Sequence, residues 1–230
     1  ALASISMVSN LLQITSKHTD ANVGYTSSYR HGEPISHPKP TARKVGTTIA
    51  VTNLFYNIKT RQNLKFSVEY NHILKLIQAY SVYYYQNVSF TLSKRNKPAD
   101  LQTIPSTDRT HTIASIVGPV SSKMEYKLQL DGIYTSTIWI GKSTTTNKKH
   151  FWLFVNHRLV TNTVLQRAVE SVVLQEATSC IIIYVQIHVP PETVDVNVHP
   201  TKQEVALLHL DGIMDHVTTT LRNEMGASTK

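Results

Sequence analysis

The chain has 230 residues, 41% of them hydrophobic, enough for one large or two small globular domains. No apolar run approaches the ~18 residues of a membrane helix, and the opening ALASISMVSN has no basic segment followed by an apolar core, so neither a membrane span nor a signal peptide is expected. A net charge of +8 points to a polyanionic partner, nucleic acid first, although a basic balance can also simply keep a protein in solution.

The first residue is not Met, which points to a fragment. Residues 10–17 carry Leu11, Leu12 and Ile14 and read as a strand, with residues 25–30 as its hairpin partner across His18-Thr19-Asp20-Ala21-Asn22. His31-Gly32-Glu33-Pro34 is a turn, and prolines make the stretch to Pro40 an irregular loop. Gly46-Thr47-Thr48-Ile49-Ala50-Val51 is a short strand entered through a glycine, with Leu54 and Phe55 beyond it as core. Apolar residues from Val68 to Val82 put Ile73, Leu74 and Ile77 on one helical face, so a helix ends near Tyr83. Residues 88–92 alternate as a strand, and Lys94-Arg95-Asn96-Lys97-Pro98 is a solvated hairpin tip. A domain boundary is placed near residue 100.

In the second half, residues 110–117 read as a short helix, and residues 127–130 and 133–140 as strands flanking the turn Asp131-Gly132. A polar loop from Lys142 ends in Lys148-Lys149-His150, and Phe151-Trp152-Leu153-Phe154-Val155 is a central strand. Thr163 and Gln166 fit a capping box for a helix over residues 164–174. Cys180, the single cysteine, excludes an internal disulfide, fits a reducing compartment and reads as a core thiol ahead of a long strand over residues 181–189. Pro190-Pro191 breaks that strand, and residues 213–225 close the chain as an amphipathic helix. Between them, valines alternate with polar residues from Val194 to Val198, a period of two with one face buried, until Pro200 ends the ladder. Lys202 then stands on a loop just past a strand end. An ammonium held there suits a phosphate as a point charge; the plainer alternative is a surface lysine.

The whole string VDVNVHPTKQEV resembles the signature near the end of the N-terminal ATPase region of MutL-type DNA mismatch repair proteins. Three earlier stretches resemble that family in the same order. Ala1-Leu2-Ala3-Ser4-Ile5 is similar to the tail of its ATP-lid motif. Gly46-Thr47 through Asn53-Leu54-Phe55-Tyr56-Asn57-Ile58-Lys59-Thr60-Arg61 is similar to its Gly-Thr…Leu-Phe-Tyr-Asn-x-Pro-x-Arg motif, with Ile58 in the place of the proline. Phe154-Val155-Asn156-His157-Arg158 is similar to its Phe-Val-Asn-x-Arg motif, in a form closer to the MLH branch than to the PMS branch. The matches are collinear and span essentially the whole chain.

The resemblance implies an α+β fold: residues 1–100 as the C-terminal half of a GHKL ATPase α/β sandwich, and 101–230 as a ribosomal-protein-type ββαβ transducer domain. It implies that Lys202 reaches the terminal phosphate of ATP from the second domain, and that Gly46, Thr47, Thr48, Ala1 and Leu2 belong to the nucleotide site. It also implies ATP and Mg²⁺ as cofactors of the intact parent and none for the fragment, an ATP-gated clamp on double-stranded and mismatched DNA, a PMS-type heterodimer partner, MutS-type partners, no membrane and a nuclear location. Arg158 reads either as a structural arginine paired with a carboxylate or, with Lys148 and Lys149, as a basic DNA-facing surface. The family's catalytic Glu, its Mg²⁺-binding Asn and its Asp-x-Gly-x-Gly loop are not found in this sequence, so no catalytic residue is assigned. No metal site is expected at Asp195, Asn197 and His199. The competing readings are a nucleic-acid-binding module without an ATP role, and a truncated product without function.

Overall fold

The computed structural model describes residues 2–62, 65–145, 148–176, 181–195, 198 and 204–227. Ala1, Cys180, Asn197, His199 and Lys202 lie outside the described residues. The chain divides into two compact units, residues 1–70 and 71–230. The boundary expected near residue 100 falls within a short strand of the second unit. Among the described residues no helix is long and apolar enough to cross a membrane.

The first unit runs α1 (Leu2–Val8), β1 (Ser9–Lys17), β2 (Gly24–Arg30), β3 (Glu33–Pro34), β4 (Lys39–Thr41), β5 (Gly46–Leu54) and α2 (Lys59–Gln62). The strands form one antiparallel sheet, β3-β2-β1-β5, with β4 also on β2. Alternation separates its faces. Leu12, Ile14, Tyr29, Ile49 and Val51 share one, and Gln13, Thr15, Thr26, Ser28 and Thr48 the other. Leu12 is 1% exposed, but every residue of β5 is exposed, because among the described residues β5 pairs on one side only, with β1. Leu54, expected in the core, is therefore 48% exposed, and Phe55 is half-buried in the left-handed region at φ 63°. The proline-rich stretch is not wholly irregular: Lys39–Thr41 pairs with β2, and Pro40 is tolerated at this edge position.

The division between the units falls within α3 (Phe66–Tyr83). Beyond it come β6 (Thr91–Ser93), β7 (Ala99–Gln102), α4 (Arg109–Val117), β8 (Val120–Leu130), β9 (Tyr134–Ser143), β10 (His150–Val155), β11 (Arg158–Val160), α5 (Thr163–Glu176), β12 (Ile181–His188), β13 (Val194–Asp195), β14 (Ala206–Leu207) and α6 (Leu210–Ala227). The strand expected over 88–92 is β6, three residues long, paired with β7 around a turn in which Asn96 takes φ 59°. Ile73, expected on a buried helix face, is 46% exposed; Ala79 and Val82 carry the burial instead.

The principal sheet is β11-β10-β12-β9-β8, with β10 and β12 parallel through the α5 crossover. Helices cover both of its faces. On one, Ile138, Ile140, Leu153, Val155, Ile183, Val185 and Ile187 pack with Leu165, Val169, Val172 and Val173 of α5 and Ile213, Val217 and Leu221 of α6. On the other, Trp139, Trp152, Phe154, Ile182 and Tyr184 pack with Ala79 and Val82 of α3 and Ile113 and Val117 of α4. This explains the run Ile181-Ile182-Ile183-Tyr184-Val185: a strand buried on both faces has no polar alternation. Each of these side chains contributes about 1.5–3 kcal/mol by leaving water. The β8–β9 hairpin turns at Asp131-Gly132, with Gly132 at φ 70°, but β8 begins at Val120, well before the expected strand start at 127. The α5 cap is Asn162, whose Oδ1 accepts from Leu165 N at 2.9 Å; Gln166 donates to Glu170 instead of closing a box with Thr163.

Candidate nucleotide and DNA contacts

Gly46, Thr47 and Thr48 open β5, opposite Lys17, Ser16 and Thr15 of β1. Neighbouring strand residues point to opposite faces, so the two threonines do not share a surface. Thr47 is hydroxyl to hydroxyl with Ser16 at 2.7 Å on the side of Ile49 and Val51. Thr48 lies on the polar side, where Arg43 Nη2 donates to its hydroxyl at 3.4 Å. A ligand on one face meets the side chain of one threonine only. α1, which carries Leu2, joins β1 at Ser9, opposite Leu54, whereas Gly46 opposes Lys17 at the other end. Eight strand steps at about 3.3 Å put roughly 26 Å between those two ends of β1. Leu2 and the Gly46 turn are thus rooted at opposite ends of one strand.

The expected valine strand is described as far as Asp195, and Val198 is 53% exposed. Val194 pairs with Leu207 and Asp195 with Ala206. The stretch that contains Lys202 therefore has both ends fixed on one short ladder.

The basic trio expected to face DNA is not one cluster. Lys148 and Lys149 are exposed just before β10, at the end where His150 begins the strand. Arg158 opposes Val155 at the other end. Five strand steps, about 17 Å, separate the two ends. No carboxylate lies within ion-pair distance of Arg158 among the described residues, so the carboxylate partner expected for a structural arginine is not among them. Burial, then the charges of Lys148 and Lys75, lowers the pKa of His150, as expected beside a concentration of positive charge.

Asn156, not Arg158, makes the structural bonds of this motif. Asn156 and His157 take φ 43° and 70°, a two-residue turn with both positions left-handed that joins β10 to β11. The Asn156 amide donates to Val189 O at 2.8 Å and its oxygen accepts from Val189 N at 3.0 Å. That fixes the residue immediately before Pro190-Pro191, and so the path into β13. The turn signal was legible in Asn156-His157; the partner, across the sheet, was not. Beside it, Tyr83 shares a hydrogen bond with Nδ1 of His157, and the His157 and His188 rings lie 5.0 Å apart. Tyr184 OH donates to Gln186 Oε1 at 2.6 Å, and the Gln186 amide contacts His188 Nε2 at 2.7 Å. An amide donor there needs a lone pair on His188. Burial, and next the neighbouring His157, lowers the His188 pKa and favours that neutral ring.

An open groove of about 240 Å³ at the β8–β9 tip is lined by Leu130, Ile133, Tyr134, His188 and Pro190 among others. It includes no Lys or Arg, so it offers a phosphate no fixed positive charge. Among the described residues no three His, Cys, Asp or Glu side chains are grouped so as to hold a metal ion.

The second unit is a sheet with helices on both faces, and comparison with known proteins identifies the class of the chain. Residues 112–226 match the family model described as DNA mismatch repair protein, C-terminal domain. The chain is 32% identical over 99% of its length to DNA mismatch repair protein MLH1 of Saccharomyces cerevisiae, and spans 31% of that protein. Among solved structures, the N-terminal domain of a DNA repair protein superposes with a TM-score of 0.79 at 22% identity, covering 99% of this chain and 74% of that one. The Aquifex aeolicus MutL ATPase domain complexed with ADP gives 0.63 at 22% identity, covering 83% and 71%. The chain belongs to the MutL/MLH family of DNA mismatch repair proteins. Its fold is the mixed α+β fold of the MutL ATPase region.

Proposed function

We propose that this chain is the nucleotide-sensing and DNA-facing part of an ATP-gated clamp in mismatch repair. In this reading residues 1–100 are the C-terminal half of the ATPase domain and 101–230 the transducer. Lys202 contacts the terminal phosphate of ATP, with Gly46, Thr47 or Thr48, and the Ala1-Leu2 segment at the nucleotide; ATP is held with Mg²⁺ by groups this chain does not supply. Arg158 and the Lys148-Lys149 pair contact duplex and mismatched DNA as separate points. The protein works in the nucleus with a PMS-type partner and with MutS-type proteins.

The observation that carries the reading is the pairing of Asp195 with Ala206, which pins both ends of the stretch containing Lys202. A charge held on a pinned loop is a better phosphate contact than one on a free tail, because less side-chain and backbone freedom is lost on binding. The ADP complex of the Aquifex aeolicus relative supports the nucleotide, and the yeast MLH1 relative supports the nuclear setting. In the complete protein that carries this chain, Lys202→Ala removes a charged hydrogen bond of about 1.5–3 kcal/mol, so ATP affinity or turnover falls about tenfold or more. The isolated chain neither binds Mg²⁺-ATP tightly in calorimetry nor releases phosphate. Unaltered ATP binding and hydrolysis in the Lys202→Ala protein refutes the phosphate contact.

A further inference from the structure

The first 70 residues carry eight Lys and Arg against three Asp and Glu, a net +5 of the chain's +8. The strand register gathers part of that charge on one surface. Lys39, Thr26, Thr15 and Thr48 form one rung across β4-β2-β1-β5, all on the polar face. Lys17 follows two residues along β1 on the same face, and Lys44 is exposed at the same end. The rung spans about 14 Å, three strand spacings.

Arg43 lies across this face. It donates to Thr15 O, to Lys44 O at 3.0 Å and to the Thr48 hydroxyl at 3.4 Å. Its stem occupies the space above Gly24, where a Cβ would come within 2.7 Å of Cγ. The guanidinium is therefore held by backbone and hydroxyl oxygens. Among the described residues no carboxylate is ion-paired with Lys17, Lys39, Arg43 or Lys44; the nearby Asp20 is paired with His18 at 3.4 Å. Thr15 and Thr26 share one hydrogen bond at 3.0 Å, and two hydroxyls carry two hydrogens, so one remains to donate outward.

A flat face of hydroxyl donors and uncompensated cations, without a base-reading element, matches a phosphodiester backbone. We propose that the Lys17–Lys39–Arg43–Lys44 face of the first unit is a second contact surface for the backbone of duplex DNA, independent of Arg158, Lys148 and Lys149. It rests on the reading that the protein works on DNA. Contact there is sequence-independent, and each phosphate neutralised releases a counterion.

The test measures binding of the full chain to a labelled random-sequence duplex by anisotropy, between about 50 and 200 mM salt. Removing three phosphate contacts in K17Q/K39Q/K44Q lowers the slope of log affinity against log salt by about 2.7 and the low-salt affinity by about tenfold or more. These side chains make no structural bond among the described residues, and an unchanged circular dichroism spectrum checks that the fold is kept. Arg43 is left in place because it braces the sheet. A second variant, T15V/T26V, weakens binding with the slope unchanged, since it removes donors and no charge. The comparison is R158Q/K148Q/K149Q. If that triple lowers the slope and K17Q/K39Q/K44Q leaves it unaltered, this surface is wrong and the DNA reading of the second unit stands. If the wild-type chain binds anionic vesicles and no duplex, both readings fail.

Discussion

Gly141→Ala will destabilise the second unit, and the structure says by how much. Gly141 and Trp139 lie two apart on β9, hence on one face, and the indole folds back over the glycine. A Cβ at position 141 would sit 2.3 Å from Cη2 and 2.7 Å from Cζ3 of Trp139. The indole is 2% exposed and packed among Ile113, Val117, Trp152 and Tyr184, so it has no free volume to enter. Overpacking of this kind costs about 1–3 kcal/mol. For a unit of this size each kcal/mol moves the melting temperature about 2–4 °C, giving a fall of roughly 2–12 °C. Both tryptophans of the chain, Trp139 and Trp152, belong to this cluster, so tryptophan emission reports the second unit alone. In urea the midpoint should fall with the slope unchanged. Gly212→Ala is the control of opposite sign: nothing lies within 4 Å of a Cβ there, the residue is in helix α6, and alanine should stabilise by up to about 1 kcal/mol. A Gly141→Ala protein with wild-type midpoint and emission would refute the packing argument.

Asn156→Ala removes both bonds to Val189, a residue 8% exposed, and should cost about 2–3 kcal/mol in urea melts, whereas Arg158→Gln should cost under about 1. Asp108→Ala removes the α4 cap, worth about 1 kcal/mol, and an exposed ion pair with Lys123 that adds at most about 1. Lys123's hydrogen bond holds the Asp108 carboxyl well below the usual carboxylate range, so that contribution is present above about pH 4 and is lost as the pH falls through the depressed value; Asp108→Asn should flatten the acid limb. His150 and His188 have lowered folded pKa values, so below about 6.5 the unfolded chain takes up protons that the folded chain does not. Stability is complete above that pH and declines as pH falls toward the folded values, and a pH 7.5 to 5.5 series of melts should show His188→Gln less sensitive than wild type.

The elements most legible in the sequence were those whose burial is set by their own periodicity. α5 and the ends of α3 and α6 follow from helical spacing, β1 from its apolar Leu11, Leu12 and Ile14 with β2 as hairpin partner across a polar turn, and β10 and β12 from short unbroken apolar runs. What failed depended on neighbours. Leu54 looked like core because leucine is usually buried, but among the described residues β5 has a partner on one side only. The first half of β8, Val-Ser-Ser-Lys-Met-Glu, is mostly polar and exposed; it is a strand because β9 offers it a ladder from Ser143 to Tyr134. Pro40 argued for a loop, yet an edge strand that need not donate at that position accepts it.

The candidate sites divide along the same line. A twelve-residue string pointed to the family, because such a string constrains several kinds of residue at once: alternating valines, a proline after them and a lysine beyond it. It could not say what holds that string in place. Asn156, in the turn after β10, holds the chain ahead of that string through Val189, 33 residues away and just past the neighbouring parallel strand β12. The pairing of Val194 and Asp195 with Leu207 and Ala206 holds both of its ends. Neither leaves a periodic trace, because each is a single contact between distant segments. Loss of Asn156 would free Val189 and the Pro190-Pro191 turn while sparing the hydrophobic sheet. Asn156→Ala should therefore weaken the Lys202-dependent part of nucleotide response more than Gly141→Ala does at matched stability. Equal losses in the two variants would mean that the clamp at Val189 serves stability alone.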